Sequence, residues 1–339
     1  MSHYDSPLVS IGMPTYNGAR FIRQTLDYLL AQDYKNFELI VSDNASEDET
    51  QQIVLDYAKK DKRIKYYRND VNLGMAENFK RVFELSSGKY FMWASDHDLH
   101  HPTFISRCVE ILEKNPNVVL VYSKSIYIDH EGKELGPIYL NQMDTRGLPE
   151  VQRFLHVLWN TDFFAVYGLI RRQALERTKI IRKVWSPDYV LLLELSLIGE
   201  FMRIPDILFY PRKNRPDENE FNSKIMRVRA LGIEEHFSDI YKITPQTLMG
   251  QTRNEIIKVI LSSHKLNVVN KIFLVFQVLH YFKHSYNVSY YNPLGAYLKL
   301  LVPGKYKFKV RNYVNNILDI IVSYVIAKQR RTVRKDIVS

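Results

Sequence analysis

The sequence contains a single cysteine and no long hydrophobic run, and each absence excludes a class of protein. With Cys108 alone, neither an intrachain disulfide nor a cysteine-based zinc site can form, and a reducing compartment is the expected setting. The longest apolar stretches, residues 272–282 and 317–327, are interrupted by polar side chains. Both are well short of the ~20 residues that cross a bilayer as a helix. The first seven residues lack the basic and apolar regions of a signal peptide, so we expect a cytoplasmic protein.

Length and composition indicate a folded chain of two domains. The 339 residues correspond to about two domains at ~150 residues each. A chain of this size buries enough surface to need no disulfide or metal for stability. Hydrophobic residues make up 46% and charged residues 25% of the chain, which excludes collagen-like, low-complexity and wholly disordered proteins.

The positive charge is confined to one end of the chain. The formal net charge is +10, but residues 251–339 hold 15 Lys/Arg and 3 Asp/Glu, a net charge of +12. Residues 1–250 hold the other 32 Lys/Arg and 34 Asp/Glu, a net charge of −2. A basic balance points to a nucleic-acid or membrane-surface partner, and only the C-terminal quarter has it.

Short apolar runs alternate with helical patterns through the first half of the chain. Strands are predicted at residues 8–13, 37–41, 64–67, 90–94 and 118–123, and helices at 19–30, 46–60, 74–85 and 102–114. This alternation indicates βαβ units and an α/β fold class, with a mainly parallel, Rossmann-like sheet flanked by helices. Such sheets bind ligands beyond the carboxyl ends of their strands. We therefore expect the site in the loops 14–17, 43–46, 68–72 and 95–98.

The second half of the chain is less regular. The patterns predict a hairpin at 126–135, a strand at 164–170, a helix at 187–199, and short strands at 201–204 and 207–210. Beyond a polar stretch at 212–223 the chain is expected to be helical to its end. We place the boundary near residue 225, between an α/β domain at 1–225 and a basic helical region at 226–339.

Two carboxylates follow the fourth predicted strand. Asp96 and Asp98 flank His97 directly after the run Tyr-Phe-Met-Trp-Ala. In an extended chain, residues two apart point the same way and lie ~6.5–7 Å apart. Such a pair can hold one hard divalent cation whose other ligands are water and phosphate oxygens. A solvated turn is the alternative interpretation.

Asp43, Asn44 and Ser46 follow the second predicted strand. A carboxylate there can accept an N–H from a nucleobase, and Asn or Ser can bind a ribose hydroxyl. The same residue types favour turns and helix caps. Because residues 46–49 also have the spacing of a capping box, Ser46 is a candidate for both roles.

Together, four segments resemble the family-2 glycosyltransferases of the GT-A fold. They are Val9-Ser-Ile-Gly-Met-Pro-Thr-Tyr-Asn17, Phe37-Glu-Leu-Ile-Val-Ser-Asp43-Asn-Ala-Ser46, Asn72-Leu-Gly74 and Trp93-Ala-Ser-Asp96-His-Asp98. Their order and spacing match, and the resemblance covers roughly residues 6–215. It implies an inverting transferase with a GT-A nucleotide-sugar-binding domain. The donor is usually a UDP-sugar, and the cofactor is a divalent metal, Mn²⁺ or Mg²⁺.

The resemblance also implies roles for individual residues. Asp43 would accept the uracil N–H, Asp98 would bind the metal, and Asp96 would approach the metal or the ribose. The other nucleotide-sugar-binding residues implied are Pro14, Thr15, Tyr16, Asn17, Asn44, Ser46, Arg68, Asn72, Gly74 and Arg171, the last of which is expected to face phosphate. Arg212 is a further candidate for the diphosphate, from a segment that departs from the family pattern.

The segment after the last short strand departs from the family pattern. Many members carry a histidine there that reaches the metal, whereas this chain has Tyr210-Pro-Arg212-Lys213-Asn214-Arg215. Either the metal has fewer protein ligands, or these cations neutralise part of the diphosphate charge. A solvated basic loop is the alternative.

A general base is expected at the start of a later helix. The segment Trp185-Ser-Pro-Asp188 precedes an apolar helical run, where the family usually places its base. An acidic residue in a first helical turn is also favoured for structural reasons alone. We expect Asp188 to take the proton of the acceptor hydroxyl. Glu194, which projects from another face of the helix, is the second candidate.

The basic region at 226–339 alternates apolar and basic residues at roughly helical spacing and carries many Tyr and Phe. Basic amphipathic helices of this kind bind membrane surfaces, which agrees with the lipid-linked acceptors that the family often uses. Packing on the α/β domain, a homo-oligomer interface and a solvated face are the alternatives.

The expected function is transfer of a hexosyl or N-acetylhexosaminyl group to a glycan or lipid-linked acceptor, at the cytoplasmic face of a membrane, in cell-surface polysaccharide synthesis. The expected partners are a nucleotide-sugar donor, this acceptor, an anionic membrane surface and another copy of the chain, with no nucleic acid. A nucleotidyltransferase is a second hypothesis, but the loop after the first strand has one glycine, Gly18, rather than a glycine-rich phosphate loop. A nucleic-acid-binding protein that uses the basic aromatic region is a third.

Overall fold

A computed structural model describes residues 6–137, 143–213 and 244–286, and their strands form one mixed sheet. The strands are β1 Val9–Thr15, β2 Phe37–Asp43, β3 Ile64–Arg68, β4 Tyr90–Trp93, β5 Leu99–His100, β6 Val118–Ile128, β7 Glu134–Pro137, β8 Leu169–Arg171 and β9 Glu200–Tyr210. Their order across the sheet is β3-β2-β1-β4-β8-β6-β9-β5, and β7 pairs with β6.

Helices pack around this sheet. They are α1 Ile22–Leu30, α2 Thr50–Lys60, α3 Met75–Glu84, α4 Phe104–Lys114, α5 Glu150–Asn160, α6 Arg172–Leu175, α7 Pro187–Ile198, α8 Pro245–Ser262 and α9 Val268–Tyr286, with a 3₁₀ helix at Phe163–Tyr167. In α1, the buried Ile22, Thr25, Leu26 and Leu29 share one helix face. Every residue of β1 and β2 is buried, as expected for parallel strands covered on both sides.

The strand directions confirm the predicted α/β class and its mainly parallel sheet. β3, β2, β1 and β4 are parallel neighbours, and β9 is parallel to β6. β8 is antiparallel to both β4 and β6, so β4 and β6 point the same way. From β1 the sheet continues through β2 on one side and β4 on the other. The crevice at the carboxyl ends of β1 and β4 is therefore the switch point at which such sheets bind ligands.

Three local predictions need correction. The strand predicted at 164–170 is a 3₁₀ helix followed by β8, because the carboxylate of Asp162 accepts the N–H of Phe164 at 3.0 Å and starts a turn. The two short strands predicted between 201 and 210 are one strand, β9, with an irregular register against β6. The helix predicted at 46–60 is α2, which begins only at Thr50. There Asp48 Oδ1 accepts the N–H of Thr50 at 3.0 Å.

The first two helices of the basic region pack on the α/β domain. Tyr281 of α9 contacts the rings of Trp159 in α5 and Tyr189 in α7, at centroid distances of 5.0 and 6.1 Å, and Phe282 is fully buried. Helices α8 and α9 therefore share one compact unit with the sheet. Across the three described ranges, no helix combines the length and apolarity needed to cross a membrane. The boundary expected near residue 225 and residues 287–339 lie outside the described residues.

Glu38 in β2 is a buried carboxylate that supports the fold at the end of the sheet away from the expected site. Its Oε1 accepts the Ser10 hydroxyl at 2.6 Å and the Ser87 N–H at 2.8 Å, and its Oε2 lies 2.6 Å from Lys65 Nζ. Burial opposes ionisation of Glu38, but the hydrogen bonds from Lys65, Ser10 and Ser87 lower its pKa to about 2.

Glu38→Gln is expected to lower the free energy of unfolding near pH 7 by roughly 3 kcal/mol, because each unit of pKa shift corresponds to ~1.4 kcal/mol. The folded-state pKa lies below the unfolded value of 4.5. This stabilisation is therefore fully present above pH 4.5 and is lost as the pH falls towards 2. Urea unfolding of both proteins at several pH values measures the difference. Glu110→Gln, which removes an exposed i,i+4 pair with Lys114, is the control and should change stability far less, because solvent screens an exposed ion pair. An equal loss in both variants would contradict the assignment.

Candidate active site

The loops that follow β1 and β4 are joined at the switch point. The hydroxyl of Thr15, the last residue of β1, donates to Asp96 Oδ2 at 2.6 Å. Gly18 lies so close to Asp96 that a Cβ at this position would be 2.5 Å from the same oxygen. Since real Cβ atoms do not approach an oxygen this closely, the close contact requires a glycine here. The first carboxylate of the Asp96-His97-Asp98 motif is therefore held against the end of β1.

Asp98 is held by its own loop and by the segment after β9. Its N–H donates to Ser95 Oγ at 3.1 Å, and its Oδ1 accepts the backbone N–H of Arg212 at 2.7 Å. The Asp98 side chain is only 6% exposed. Among the described residues, no hydrogen bond engages its Oδ2. Within the described residues, one carboxylate oxygen thus fixes the side chain and the other makes no hydrogen bond.

The side chain of Arg212 fastens this loop rather than presenting a free cation, which corrects the predicted phosphate contact. Its guanidinium donates to the His97 carbonyl at 2.8 Å, the Asp129 carbonyl at 2.6 Å and Gln24 Oε1 at 2.6 Å. Every nitrogen of the guanidinium is thereby used, and Arg212 is buried. Its role is to position the loop of Asp98.

Asp43, at the end of β2, is completely buried beneath two side chains of β3. Its Oδ2 accepts the Tyr66 hydroxyl at 2.6 Å and Arg68 Nη1 at 2.8 Å, and its Oδ1 accepts the Ser46 N–H at 2.8 Å. Burial and the hydrogen bond to Asp43 raise the pKa of Tyr66 well above its usual range, so Tyr66 stays a neutral donor. Arg68 is about one-third exposed and covers the carboxylate from the solvent side.

Asn44, Asn72 and Gly74 form a polar connection between the loops after β2 and β3. Asn44 Nδ2 donates to Asn72 Oδ1 at 2.7 Å, and Asn44 Oδ1 accepts the Leu73 N–H at 2.9 Å. Asn72 Oδ1 also accepts the N–H of Gly74 at 2.9 Å. Gly74 has a φ of +82°, which favours glycine, and directly precedes α3. In this structure these residues shape the crevice through contacts with each other.

Ser46 connects the loops after β1 and β2 and does not cap α2, so the predicted capping box is wrong. The N–H of Asn17 donates to Ser46 Oγ at 2.9 Å, and Asn17 Oδ1 accepts the Glu47 N–H at 2.8 Å. Asn17 adopts a φ of +53°, a region in which asparagine is tolerated. Pro14 and Thr15 are buried, whereas Tyr16, which lies between Thr15 and Asn17 in the chain, is 46% exposed.

Asp188 lies in the first turn of α7, as predicted, and its side chain is partly exposed. The next residue, Tyr189, anchors the turn: its hydroxyl donates to the Leu158 carbonyl at 2.7 Å. Lys183, just before α7, lies 3.2 Å from Glu77 in the first turn of α3. Since α3 begins at the carboxyl edge of the sheet, this pair brings the segment before α7 to the same edge.

Of two further candidates, Arg171 lies away from the crevice and Glu194 is paired with an arginine. Arg171 pairs with Tyr90 at the start of β4, at the opposite edge of the sheet, which corrects its predicted contact with phosphate. Its guanidinium donates to the Val118 carbonyl at 2.7 Å and to the Leu112 carbonyl. Glu194, the second candidate base, accepts two hydrogen bonds from Arg182, at 2.6 and 3.0 Å. This bidentate pair occupies both oxygens of Glu194.

The carboxylates at the switch point could hold a metal ion only together with ligands that are not protein side chains. Over the described ranges, no group of three or more His, Cys, Asp or Glu side chains is arranged to hold a metal ion. Asp96 and Asp98 still supply two carboxylates, and Asp98 Oδ2 faces no protein donor among the described residues. Two carboxylates suit a Mg²⁺-like ion that keeps water and phosphate oxygens as its other ligands.

Sequence reasoning missed the residues that hold the site from behind. Tyr66 precedes Arg68 by two positions in β3, so the two share one face of the strand; this spacing was an available signal. Gln24 and Asp129, which fix Arg212, come from α1 and from the turn between β6 and β7. Their contacts join parts of the chain more than 80 residues apart, and no local pattern reveals them.

Comparison with known proteins decides between the hypotheses left open by the sequence. A family model described as glycosyl transferase family 2 matches residues 10–178, the segment that contains Thr15, Asp43, Asp96 and Asp98. The chain belongs to glycosyl transferase family 2. An uncharacterized glycosyltransferase of Rickettsia typhi is 40% identical over 131 residues, which are 38% of this chain and 40% of that protein. One of Haemophilus influenzae is 27% identical over 236 residues, which are 65% of this chain and 72% of that protein. This family 2 chain thus matches about two fifths of the length of the Rickettsia relative.

Solved structures share the GT-A fold of this family 2 chain. Residues 1–349 of Staphylococcus aureus TarS in complex with UDP-GlcNAc superpose with a TM-score of 0.59 and 16% identity, over 89% of this chain and 77% of that one. The mannosyltransferase PcManGT of Pyrobaculum calidifontis, in complex with GDP-Man and Mn²⁺, gives a TM-score of 0.50 and 15% identity, over 83% of this chain and 82% of that one. At these identities the likeness concerns the fold alone.

Proposed function

We propose that this family 2 protein transfers a sugar from a nucleotide-diphosphate sugar, most simply a UDP-sugar, to a hydroxyl of a glycan or lipid-linked acceptor, with inversion at the anomeric carbon. One observation carries the proposal: the Thr15–Asp96 hydrogen bond and the fixed Asp98 carboxylate place two acidic groups at the switch point of the sheet. The TarS and PcManGT structures, which hold UDP-GlcNAc and GDP-Man with Mn²⁺, support it.

The nucleoside would bind over the loops after β1, β2 and β3. The exposed ring of Tyr16 offers a stacking surface for the base. Asp43 is the acceptor for a base N–H, but its side chain is fully buried and Arg68 covers it. The base therefore reaches Asp43 only if the Arg68 guanidinium moves off Oδ2. Asn17, Asn44, Ser46, Asn72 and Gly74 keep these loops in place through the hydrogen bonds described above.

The diphosphate would lie beside Asp98, with Mn²⁺ or Mg²⁺ held by Asp98 and Asp96. When bound, such an ion neutralises charge on the departing nucleoside diphosphate. Asp98 contributes through Oδ2, because Oδ1 is held by the Arg212 N–H at 2.7 Å. Asp96 is held by Thr15 at 2.6 Å. Two carboxylates fixed in advance lose little conformational freedom when the donor binds.

Asp188 would act as the general base. A partly exposed carboxylate in a fixed helical turn can accept the proton of the acceptor hydroxyl as this hydroxyl attacks the anomeric carbon from the face opposite the diphosphate. One direct displacement inverts the anomeric configuration. The bidentate pair of Glu194 with Arg182 favours Asp188 over Glu194 for this role.

The proposed setting is the cytoplasmic face of a membrane, where the acceptor of a cell-surface polysaccharide would be available. The net charge of +12 over residues 251–339 supports it, since each Lys or Arg near an anionic leaflet contributes ~1 kcal/mol. Within that region, Tyr281 and Phe282 are engaged in packing on α5 and α7. Membrane contact would therefore fall to other residues of the basic region.

A thermal-shift panel tests the donor class. UDP-, GDP- and dTDP-sugars are added to the full chain with and without Mn²⁺, and UDP-sugars with Mn²⁺ are expected to raise Tm most. A ligand at about 100 times its Kd stabilises the folded state by ~2.7 kcal/mol, which corresponds to a shift of several degrees. If no nucleotide sugar or nucleoside diphosphate raises Tm, the proposed function is wrong. A response to GDP-sugars alone would overturn the assignment of a UDP-sugar donor.

A further inference from the structure

A second concave site lies beside the loop of Asp98. It is a cavity of about 580 Å³ between the end of α1, strand β5 and the turn that joins β6 to β7. Its polar and aromatic lining consists of Asp27, Tyr28, His101, Glu134 and Tyr210. The volume falls within the ~300–1,000 Å³ that is typical of small-molecule sites.

The cavity is built into the same framework as the Asp98 loop. Leu99 lines it and directly follows Asp98 in the chain. Arg212 lies behind it and joins its two walls, through Gln24 of α1 at 2.6 Å and the Asp129 carbonyl of the turn at 2.6 Å. Arg212 thus connects the segment that fixes Asp98 with α1 and with the turn after β6, and both of these elements line the cavity.

The lining chemistry selects the class of ligand. No lysine or arginine lines the cavity, whereas Asp27 and Glu134 bring two carboxylates, so phosphates, nucleotides and acidic head groups are disfavoured. Carboxylates accept hydrogen bonds from hydroxyl groups. The faces of the Tyr28 and Tyr210 rings attract the slightly positive C–H groups of a sugar ring.

The lining also contains a donor. His101 Nδ1 lies 3.3 Å from the N–H of Thr103, which donates to it. Because Nδ1 also lies 2.9 Å from Thr103 Oγ1, Nε2 donates to a ligand in one tautomer and accepts in the other, and the Tyr28 hydroxyl can donate in either case. Asp27 Oδ1 already accepts the Tyr57 hydroxyl at 2.7 Å, which fixes this carboxylate at the wall. Acceptors, a donor and aromatic faces around one cavity suit an uncharged polyhydroxyl ring.

We propose that this cavity is a subsite for a neutral sugar unit of the acceptor. The inference rests on the proposed glycosyltransferase function and names the acceptor as a neutral glycan of more than one unit. The subsite would lower the KM for longer acceptors.

The experiment measures binding of neutral disaccharides to the full chain by saturation-transfer NMR and titration. The probes are cellobiose, maltose and N,N′-diacetylchitobiose, each added in the presence of saturating UDP and Mn²⁺. At least one probe should bind, and binding should persist at about 0.5 M salt, because an uncharged ligand is not screened. Tyr28→Ala and Glu134→Gln should each weaken it about tenfold, a loss of ~1.4 kcal/mol.

Glu131→Gln is the matched control. Glu131 lies in the turn directly before β7, which Glu134 begins. Its side chain is 77% exposed and outside the lining, so this variant should bind like the wild type. All variants should keep the wild-type Tm and UDP affinity, which separates loss of the subsite from misfolding.

The proposal is overturned if none of the probes binds, if binding survives both cavity substitutions, or if UDP and Mn²⁺ displace the probe, which would place it in the donor site. Loss of probe binding at about 0.5 M salt would show that the interaction depends on charge, and would also overturn the proposal. UDP binding without disaccharide binding refutes the subsite and leaves the proposed function standing. Disaccharide binding without nucleotide binding would support a sugar site in the cavity and refute the proposed function.

Discussion

Asp188→Asn is expected to abolish sugar transfer while donor binding is retained. The amide keeps the size of the carboxylate and its place in the first turn of α7, but it cannot take a proton from the acceptor hydroxyl. Loss of a general base typically costs ~10²–10⁴ in rate. Release of UDP in the presence of acceptor measures transfer, and titration with UDP and Mn²⁺ measures binding.

Glu150→Gln is the matched control for this substitution. Glu150 is also an acidic residue in a first helical turn, that of α5, so its replacement removes the same favourable interaction with a helix dipole. This variant should retain wild-type transfer. Full activity of Asp188→Asn would show that Asp188 is not the base, and an equal loss in both variants would point to a structural role.

Asp98→Ala is expected to weaken UDP binding about tenfold or more in Mn²⁺, a loss of at least ~1.4 kcal/mol. The substitution removes Oδ2, the proposed metal ligand, together with Oδ1, which accepts the Arg212 N–H at 2.7 Å. When EDTA replaces Mn²⁺, the wild type should bind UDP no better than the variant does, because no metal ion then links Asp98 to the diphosphate. Calorimetric titration under both conditions measures the four affinities.

Asp206→Ala is the control for Asp98→Ala. Asp206 lies in β9 and pairs at 2.7 Å with Arg107 on the surface, where both side chains are about half exposed. Its loss should leave the UDP affinity unchanged with or without Mn²⁺. If the Asp98 variant keeps wild-type affinity in Mn²⁺, Asp98 does not bind the metal.

Much of the fold could be predicted from the sequence because its first half is strongly periodic. Apolar runs such as Phe37–Val41 occupy strands that are buried on both faces, and the helices between them carry one apolar face. The hairpin predicted at 126–135 is confirmed by the pairing of β6 with β7. The strand predicted at 164–170 failed because its apolar residues pack equally well from a 3₁₀ helix, and one buried carboxylate, Asp162, decides the turn.

The position of the site could also be predicted, but not the internal partners of its residues. All four loops after β1 to β4 lie at one edge, since the carboxyl ends of parallel strands meet there. Arg171 was misplaced because a short antiparallel strand, β8, carries it to the other edge. Arg212 was correctly placed near Asp98, but its bonds to Gln24 and Asp129 depend on tertiary structure.

A crystal structure of the full chain with UDP and Mg²⁺ tests the central claim most directly. We expect the uracil over Tyr16, with an N–H on Asp43 and the Arg68 guanidinium moved aside. The ion should lie about 2.0–2.1 Å from Asp98 Oδ2 and from the diphosphate oxygens. Arg212 should keep its hydrogen bonds to His97, Gln24 and Asp129. UDP bound away from the loops after β1 to β4, or a metal with no bond to Asp98, would contradict the account.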